Sequence, residues 1–398
     1  MGTMELLADE IDGRLHVAIA HKGILDNLYV DPMNCIGAWA SIYNGRVAKI
    51  DTGLDAAFID LGDGMTGFLP AKHIYTPGAD ASERRTGISK LVEPGQMVMV
   101  QIKAEAKRDS EHEHHKLPRL TTKLYTFGQH LVYSPRSSRV AVSHRVENEN
   151  VIKAATRLKG AGGWLVQSSA EHASEEELQT EAQCLLDEWN LIVSSCESSG
   201  DKPRLLRAGP NAILRALCDY GTPRFSHIYV GNKKLLEIVE KWSEKFSPRL
   251  ATSKRLRLFR PESAADKLFE MHDLYSQTAA LQTPCVALDG GGSIIIEPTQ
   301  ALIVIDVNRG SAPSVAAVNK SAAHEVARQT RIRNLSGAVL VDFINMQKRT
   351  ARAELVDILE QVFRSDVSGA QVHGFTRLGI IEITRKRRTA TLAENLRH

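Results

Sequence analysis

Apolar positions along this chain change their period several times, and each change marks an element. Near the start, Glu5-Leu6-Leu7 opens one strand and Leu15–Ile19 (LHVAI) alternates as a second. From Ala38 to Thr126 come short β-type runs: GRVAKI, AAFIDLG, TGFLP, VMVQIKAE and RLTTKLYTF. Asp63-Gly64 and Glu93-Pro94-Gly95 punctuate the earlier ones. So many short strands in so small a span predict an OB-type barrel. Helices are predicted over Glu149–Lys159 and Ser174–Cys196, with a strand at Gly163–Gln167 between them. The second helix opens on Ser174-Glu175-Glu176-Glu177, a capping box with acids at the positive end of the helix dipole. Two further helices, Ala212–Tyr220 and Lys233–Phe246, flank a strand at His227–Val230.

The last third reads as a cleaner α/β unit. Strands Ser293–Glu297 and Ala301–Asp306 precede a helix at Ser314–Arg333. A strongly apolar strand, Gly337–Phe343, a helix, Thr350–Arg364, and a strand, Leu378–Ile383, complete it. Strand, helix and strand in this order predict a parallel sheet with right-handed crossovers. No run approaches the ~18–20 uncharged apolar residues of a membrane helix. The first residues carry acids rather than a signal-peptide pattern, so the expected compartment is the cytoplasm.

Composition narrows the classes. A hydrophobic share of 43% with 24% charged residues is that of a globular chain. The net charge of +3 is too small to imply nucleic acid by itself. The basic runs Lys254–Arg260, Arg328–Arg333 and Arg385–Arg388 read either as phosphate contacts or as solvated faces. The five cysteines, Cys35, Cys184, Cys196, Cys218 and Cys285, form no C-x-x-C pair, so neither a zinc site nor a disulfide framework is expected. His112, His114 and His115 crowd a polar loop and are assigned no role. The Gly290–Gly292 run precedes a strand rather than a helix, so it is not a dinucleotide loop.

Two carboxylates carry the candidate chemistry. Asp306 ends the strand ALIVID and Asp342 ends GAVLVD. On neighbouring parallel strands both would lie at the carboxyl edge of the sheet, where α/β folds place their sites. Asn308, two residues beyond Asp306, points to the same side in an extended chain. Two carboxylates and an amide oxygen form a hard, oxygen-only set that suits Mg²⁺. Caps on the following turns are the alternative reading. In the barrel, Ala57, Ile59 and Leu61 share one face and Phe58 shares the other with Asp60. Phe58 and Phe68, on successive strands, are then either a platform for stacking bases or two core rings.

At these residues the chain resembles the bacterial ribonuclease E/G family. ASIYNGRVAKIDTGLDAAFIDLGDGMTGFLP is similar to its S1-type domain. GGGSIIIEPTQALIVIDVN, AAHEVARQTRIRNLSGAVLVDFINM and GFTRLGIIEITRKR are similar to its DNase I-like catalytic subdomain. The resemblance runs in order from about residue 4 to residue 395. It implies an α+β multidomain chain. An RNase H-like subdomain (1–37 and 214–281), itself without catalytic role, is interrupted by an S1-type OB-fold RNA-binding domain (38–124) and a 5′-sensor-like region (125–213). A DNase I-like catalytic subdomain (282–398) follows. It also implies an Mg²⁺-dependent endoribonuclease, with Mn²⁺ as a substitute metal, cutting single-stranded RNA to 5′-phosphate and 3′-hydroxyl products in RNA processing and decay. Asp306 and Asp342 match the metal-binding aspartates, and Asn308 the asparagine that helps place the metal and its water. Phe58, Phe68 and Lys116 match the pocket that holds RNA beyond the cut. A catalytically silent RNA-binding protein on the same fold is the alternative, disfavoured by retention of all three metal-site residues.

The departures from the family pattern are specific. Gln167-Ser168 stand where the family has an Arg-Thr pair on a 5′-monophosphate, and Gln offers no charged, bidentate fork. A preference for 5′-monophosphorylated RNA therefore does not carry over. The zinc-binding cysteine pair expected after Leu392–His398 is absent from the sequence, so a homo-oligomer stays open but not a zinc-linked one. The connection from Asp306 to Asn319 is short for the family, and Asn345 stands where the family often has a further Asp.

Overall fold

The computed structural model describes residues 4–33, 38–77, 86–107, 116–158, 161–263, 266–364 and 366–396. Cys35, His112, His114 and His115 lie outside them. By its contacts the chain divides into two units, residues 33–258 and the two flanking segments together.

The flanking unit begins with an antiparallel meander, β1 (Met4–Ile11), β2 (Arg14–His21) and β3 (Ile24–Pro32). Asp12-Gly13 and Lys22-Gly23 turn the hairpins with positive φ at both positions, the geometry that matches strand twist. The sequence predicted two strands here; there are three. The alternation of β3 was masked by Asn27 and Asp31, which are polar yet buried.

The middle unit holds a closed barrel. β4 (Ile42–Asp51), β5 (Ala56–Gly62), β6 (Met65–Pro70), β7 (Met97–Ala104) and β8 (Arg119–Thr121) run in the order β4-β5-β6-β8-β7, and β7 returns to β4. This is the OB-like barrel that the short runs predicted. Val47, Ala57, Ile59, Leu61, Leu69, Val100, Ile102 and Leu120 fill its interior. Gly45 is required there, because a Cβ would meet Ile59 Cγ2 at 2.5 Å.

A small sheet follows, from β9 (Thr126–Phe127), β10 (Leu131–Ser134), β11 (Val140–Val142) and β12 (Gly163–Val166), with helix α1 (Glu149–Ala155). Helix α2 (Glu175–Ser198) carries the predicted capping box in full. β13 (Arg204–Arg207) pairs with β4, and α3 (Ala212–Tyr220) leads to β14 (Phe225–Val230). After α4 (Lys233–Phe246) and α5 (Pro248–Ala251), β15 (Leu256–Leu258) pairs parallel with β14.

The chain then returns to the flanking unit through α6 (Leu268–Met271) and α7 (Leu274–Ala280). A six-stranded sheet follows: β16 (Cys285–Ala287), β17 (Ser293–Pro298), β18 (Leu302–Asn308), β19 (Gly337–Asp342), β20 (Gln371–Phe375) and β21 (Ile381–Arg385). Its order is β16-β17-β18-β19-β21-β20. Helices α8 (Val315–Ile332) and α9 (Arg349–Phe363) share one core with the face made by Ile294, Ile303, Ile305, Val339, Val341, Ile381 and Ile383. A short α10 (Leu392–Leu396) closes the chain.

The expected parallel sheet is corrected to a mixed one. Only β18 and β19, joined by α8, run parallel; β17 and β21 flank them antiparallel. Two-residue-period strands on either side of a βαβ unit look alike whichever way they run, and β20 was too polar to be read at all.

The basic runs are also resolved. Arg385 is 3% exposed and forks onto Asp366, which is fully buried, while Arg387 pairs with Glu394. Arg328 pairs with Glu325 and donates to the Leu25 carbonyl, Arg331 pairs with Asp26, and Arg333 donates to Gln329 and the Thr283 carbonyl. Arg255 donates to the carbonyls of Thr222 and Phe225. These cations hold the chain together, whereas Lys254, Arg257, Arg260 and Lys386 of the same runs are exposed. Among the described residues no helix is long and apolar enough to cross a membrane.

Candidate active site and nucleic-acid interface

The parallel β18–β19 pair sets Asp306 directly opposite Asp342 in register. Neighbouring strands lie ~4.8 Å apart, so the two side chains project side by side. The flanking positions Ile305, Val307 and Val341 are buried under the helices, which forces Asp306, Asn308 and Asp342 onto the opposite face, where all three are exposed. Half-buried Ile295, Val304 and Leu340 share that face. Asn308 Nδ2 donates to Asp306 Oδ2 at 2.9 Å and so orients that carboxylate.

The glycine run is explained by the same corner. Gly292 has φ +91°, and a Cβ there would meet the Asn308 carbonyl at 2.7 Å. The turn between β16 and β17 can thus press against the end of β18 only as glycine.

Among the described residues no third His, Cys, Asp or Glu joins the pair to form a metal-binding cluster. The donor set is therefore two carboxylates and an amide, open on one side. That fits a hard cation which keeps several waters and takes few protein ligands.

Two residues to which the sequence reading gave no role support this edge. Asn319, 1% exposed on α8, donates to the Ile344 carbonyl and accepts from the Ile344 amide, at 2.7 and 3.1 Å. It clamps the loop that leaves Asp342. Its signal was available: an amide among Val318, Ala322, Ala323 and Val326 on the buried side of the helix. Arg352, on α9, donates to Asn345 Oδ1 at 3.3 Å and lies over the Phe375 ring. It had no distinguishing signal in one dimension.

In the barrel, Phe58 and Phe68 pair in register, with ring centroids 5.8 Å apart at 65°. Both are half-buried, whereas Ala57, Ile59 and Leu61 between and beside them are buried. Lys49 pairs with Phe58 and Arg119 with Phe68. One row across the barrel surface therefore reads cation, ring, ring, cation, and both cations are exposed. Lys116 is exposed too, its backbone fixed by a reciprocal bridge to Lys107 just before β8. Nearby, burial and Lys103 lower the pKa of His73 to about 4. His73 is thus neutral: its Nδ1 donates to the Leu120 carbonyl and its Nε2 accepts from Lys103 Nζ at 3.0 Å.

Gln167 follows β12 and caps a 3₁₀ turn, Ser168–His172. Its amide donates to the His130 carbonyl at 2.8 Å, and its Nε2 is buried without a partner. Glu181, 2% exposed, accepts from the amides of His130 and Leu131 at 2.8 and 2.9 Å. Burial pushes its pKa up to about 8. Gly128 is obligatory beside it, since a Cβ would meet Glu181 Oε1 at 2.3 Å. Gln129, His130, Ser169, Glu181, Thr222 and Phe246 line a cleft of about 420 Å³, to which Gln167 and Ser168 do not contribute.

A profile of the Ribonuclease E/G family matches residues 126–388, and the chain is a member of that family. It is 31% identical to Ribonuclease G of Haemophilus influenzae, over 98% of this chain and 81% of that protein. It is 29% identical to Ribonuclease G of Escherichia coli, over 97% of this chain and 80% of that protein. To Ribonuclease E of Escherichia coli it is 32% identical, over 90% of this chain and 34% of that longer protein.

Proposed function

We propose that this chain is an Mg²⁺-dependent endoribonuclease acting on single-stranded RNA. The observation that carries the reading is the opposition of Asp306 and Asp342 at the end of the only parallel strand pair of their sheet. Its relatives are named Ribonuclease G and Ribonuclease E, which supports RNA as the substrate.

Asp306 and Asp342 would hold the metal, with Asn308 fixing the Asp306 carboxylate and orienting the attacking water. When bound, Mg²⁺ supplies positive charge to the phosphate and acidifies water; Mn²⁺ serves as a substitute. Water oxygen bonds to phosphorus, the bond from phosphorus to the 3′ oxygen breaks, and that oxygen takes a proton. The products are a 5′-phosphate and a 3′-hydroxyl. Phe58 and Phe68 stack a base, and Lys49, Lys116 and Arg119 neutralise backbone charge around it. On this reading residues 38–124 are the S1-type domain, 282–398 the DNase I-like catalytic subdomain, and 1–37 with 214–281 the RNase H-like part. Gln167 and Ser168, in the region 125–213, no longer read a terminal phosphate.

The test is incubation of purified protein with end-labelled single-stranded RNA, with and without Mg²⁺. Internal cuts that need the metal and carry 5′-phosphates support the reading. Binding without cutting under Mg²⁺ or Mn²⁺ would establish the silent RNA-binding alternative.

A further inference from the structure

The loop after β19 and the turn between β20 and β21 reach the same sheet edge as the acid pair. Val341 pairs with Ile381, and Ile381 with Phe375, so the strand row one residue short of Asp342 continues to Phe375. Arg352 spans these two segments. Its Nη2 donates to Asn345 Oδ1 at 3.3 Å, and its guanidinium lies 5.0 Å from the Phe375 ring centroid. Gly379, in the turn, lies beside Nη2, which a Cβ there would meet at an ordinary contact of 3.7 Å. β20 is two strands from β19, roughly 10 Å at the ordinary strand spacing. At ~3.4 Å per stacked nucleotide, that is a reach of about three nucleotides.

Arg352 differs from several arginines around it in lacking a carboxylate partner among the described residues. Arg328, Arg331, Arg385 and Arg387 of the same unit each face a carboxylate. Arg352 has no carboxylate partner among the described residues, and its Nε is buried without a hydrogen-bond partner. Among the described residues its one polar contact is the neutral amide of Asn345; an acid at that position would form an ion pair and withdraw the charge. The Phe375 ring backs the guanidinium, and with Nε buried the terminal Nη1–Nη2 end is the part left to meet a phosphate.

We propose that Arg352 is a phosphate-positioning residue, holding the RNA backbone within about three nucleotides of the bond that is cut. This rests on the reading of Asp306 and Asp342 as the site of RNA cleavage. A purely structural role, tying α9 to the β20–β21 turn, is the competing account.

The test uses a set of single-stranded oligonucleotides in which one phosphate at a time is replaced by neutral methylphosphonate. Affinity by fluorescence anisotropy and single-turnover cleavage are measured for wild type, Arg352→Gln and Arg352→Lys, with thermal melting of each. Arg352→Gln should raise KM about tenfold and lower kcat far less, and Arg352→Lys should retain part of the affinity. At one position near the cut, neutralisation should cost wild type about tenfold in affinity and cost Arg352→Gln nothing. Equal losses for both proteins at every position overturn the proposal. So does a fall in melting temperature and kcat with RNA affinity unchanged. If wild type binds RNA yet never cuts it, the cleavage reading fails, while the position-specific coupling still decides whether Arg352 grips a phosphate.

Discussion

Replacing either acid of the pair with its amide separates chemistry from folding. Asp306 and Asp342 are exposed and face each other across neighbouring strands, so their charges lie ~5 Å apart. In a water-like dielectric that repulsion is worth ~0.8 kcal/mol, less after screening by salt. Asp306→Asn or Asp342→Asn should therefore leave the fold intact or stabilise it slightly, with melting within ~2 °C of wild type. Cleavage should behave differently. Loss of one ligand charge removes several kcal/mol of transition-state stabilisation, and ~3–4 kcal/mol is a ~10²–10³-fold slower rate. The double mutant should be scarcely worse than either single one, because the two acids act as one unit. A readout independent of turnover is the melting shift on adding Mg²⁺, which binding to the folded state produces in wild type and which both mutants should lose. The comparison is single-turnover cleavage at matched, saturating RNA. Mutants that cut as fast as wild type, or that still show the full Mg²⁺ shift, would refute the assignment of the metal site.

Three further outcomes are expected. Phe58→Ala should weaken RNA binding by ~1–3 kcal/mol, about 5- to 150-fold, while costing the fold no more than the lost ring pair, ~0.5–1.5 kcal/mol; a loss of ~3–5 kcal/mol in stability with unaltered affinity per folded molecule would make it a core ring instead. Oligonucleotides with 5′-monophosphate and 5′-hydroxyl ends should be cut within a few-fold of each other, since Gln167 has neither charge nor fork; a hundredfold preference for the monophosphate would show that other residues read the end. Glu181 has a folded pKa raised to about 8, so its neutral form is the one the fold favours. Its stability contribution is full below the unfolded value near 4.5 and erodes as pH rises toward about 8. Glu181→Gln should flatten that decline in a melting series, and an unchanged slope would place the titration elsewhere.

Period-two and period-3.6 patterns made the barrel and most helices legible, because each of those elements has one wet and one dry face. The strands that escaped include β3, whose buried Asn27 and Asp31 break the pattern, the short β10, β11, β13, β15 and β16, and β20, which is short and polar at an edge. Strand direction escaped altogether. Side-chain alternation is the same for parallel and antiparallel neighbours, so a βαβ unit within a mixed sheet reads as a wholly parallel one. The fate of the basic runs was illegible for a related reason. Arg385 lies in a run of cations, yet its partner Asp366 is nineteen residues earlier, and only the fold brings them together.

The candidate site divides along the same line. Asp306, Asn308 and Asp342 could be found because strand parity and the ends of two apolar runs locate them without knowledge of their partners. Phe58 could be placed on the outside because Asp60 shares its parity. Residues that act through a neighbour had no such handle. Asn319 matters because Ile344 passes over it, and Arg352 because a ring on another strand lies beneath it. One-dimensional patterning thus locates the groups that would meet metal and base, since these must sit on exposed faces of regular elements. It is silent on the groups that hold them there, whose partners are distant in sequence. The contact at Asn345 illustrates the limit. Read along the chain, Asn345 is only an amide where the family resemblance expects an acid. With Arg352 beside it, the same amide is what leaves a cation unneutralised at the edge where RNA would pass.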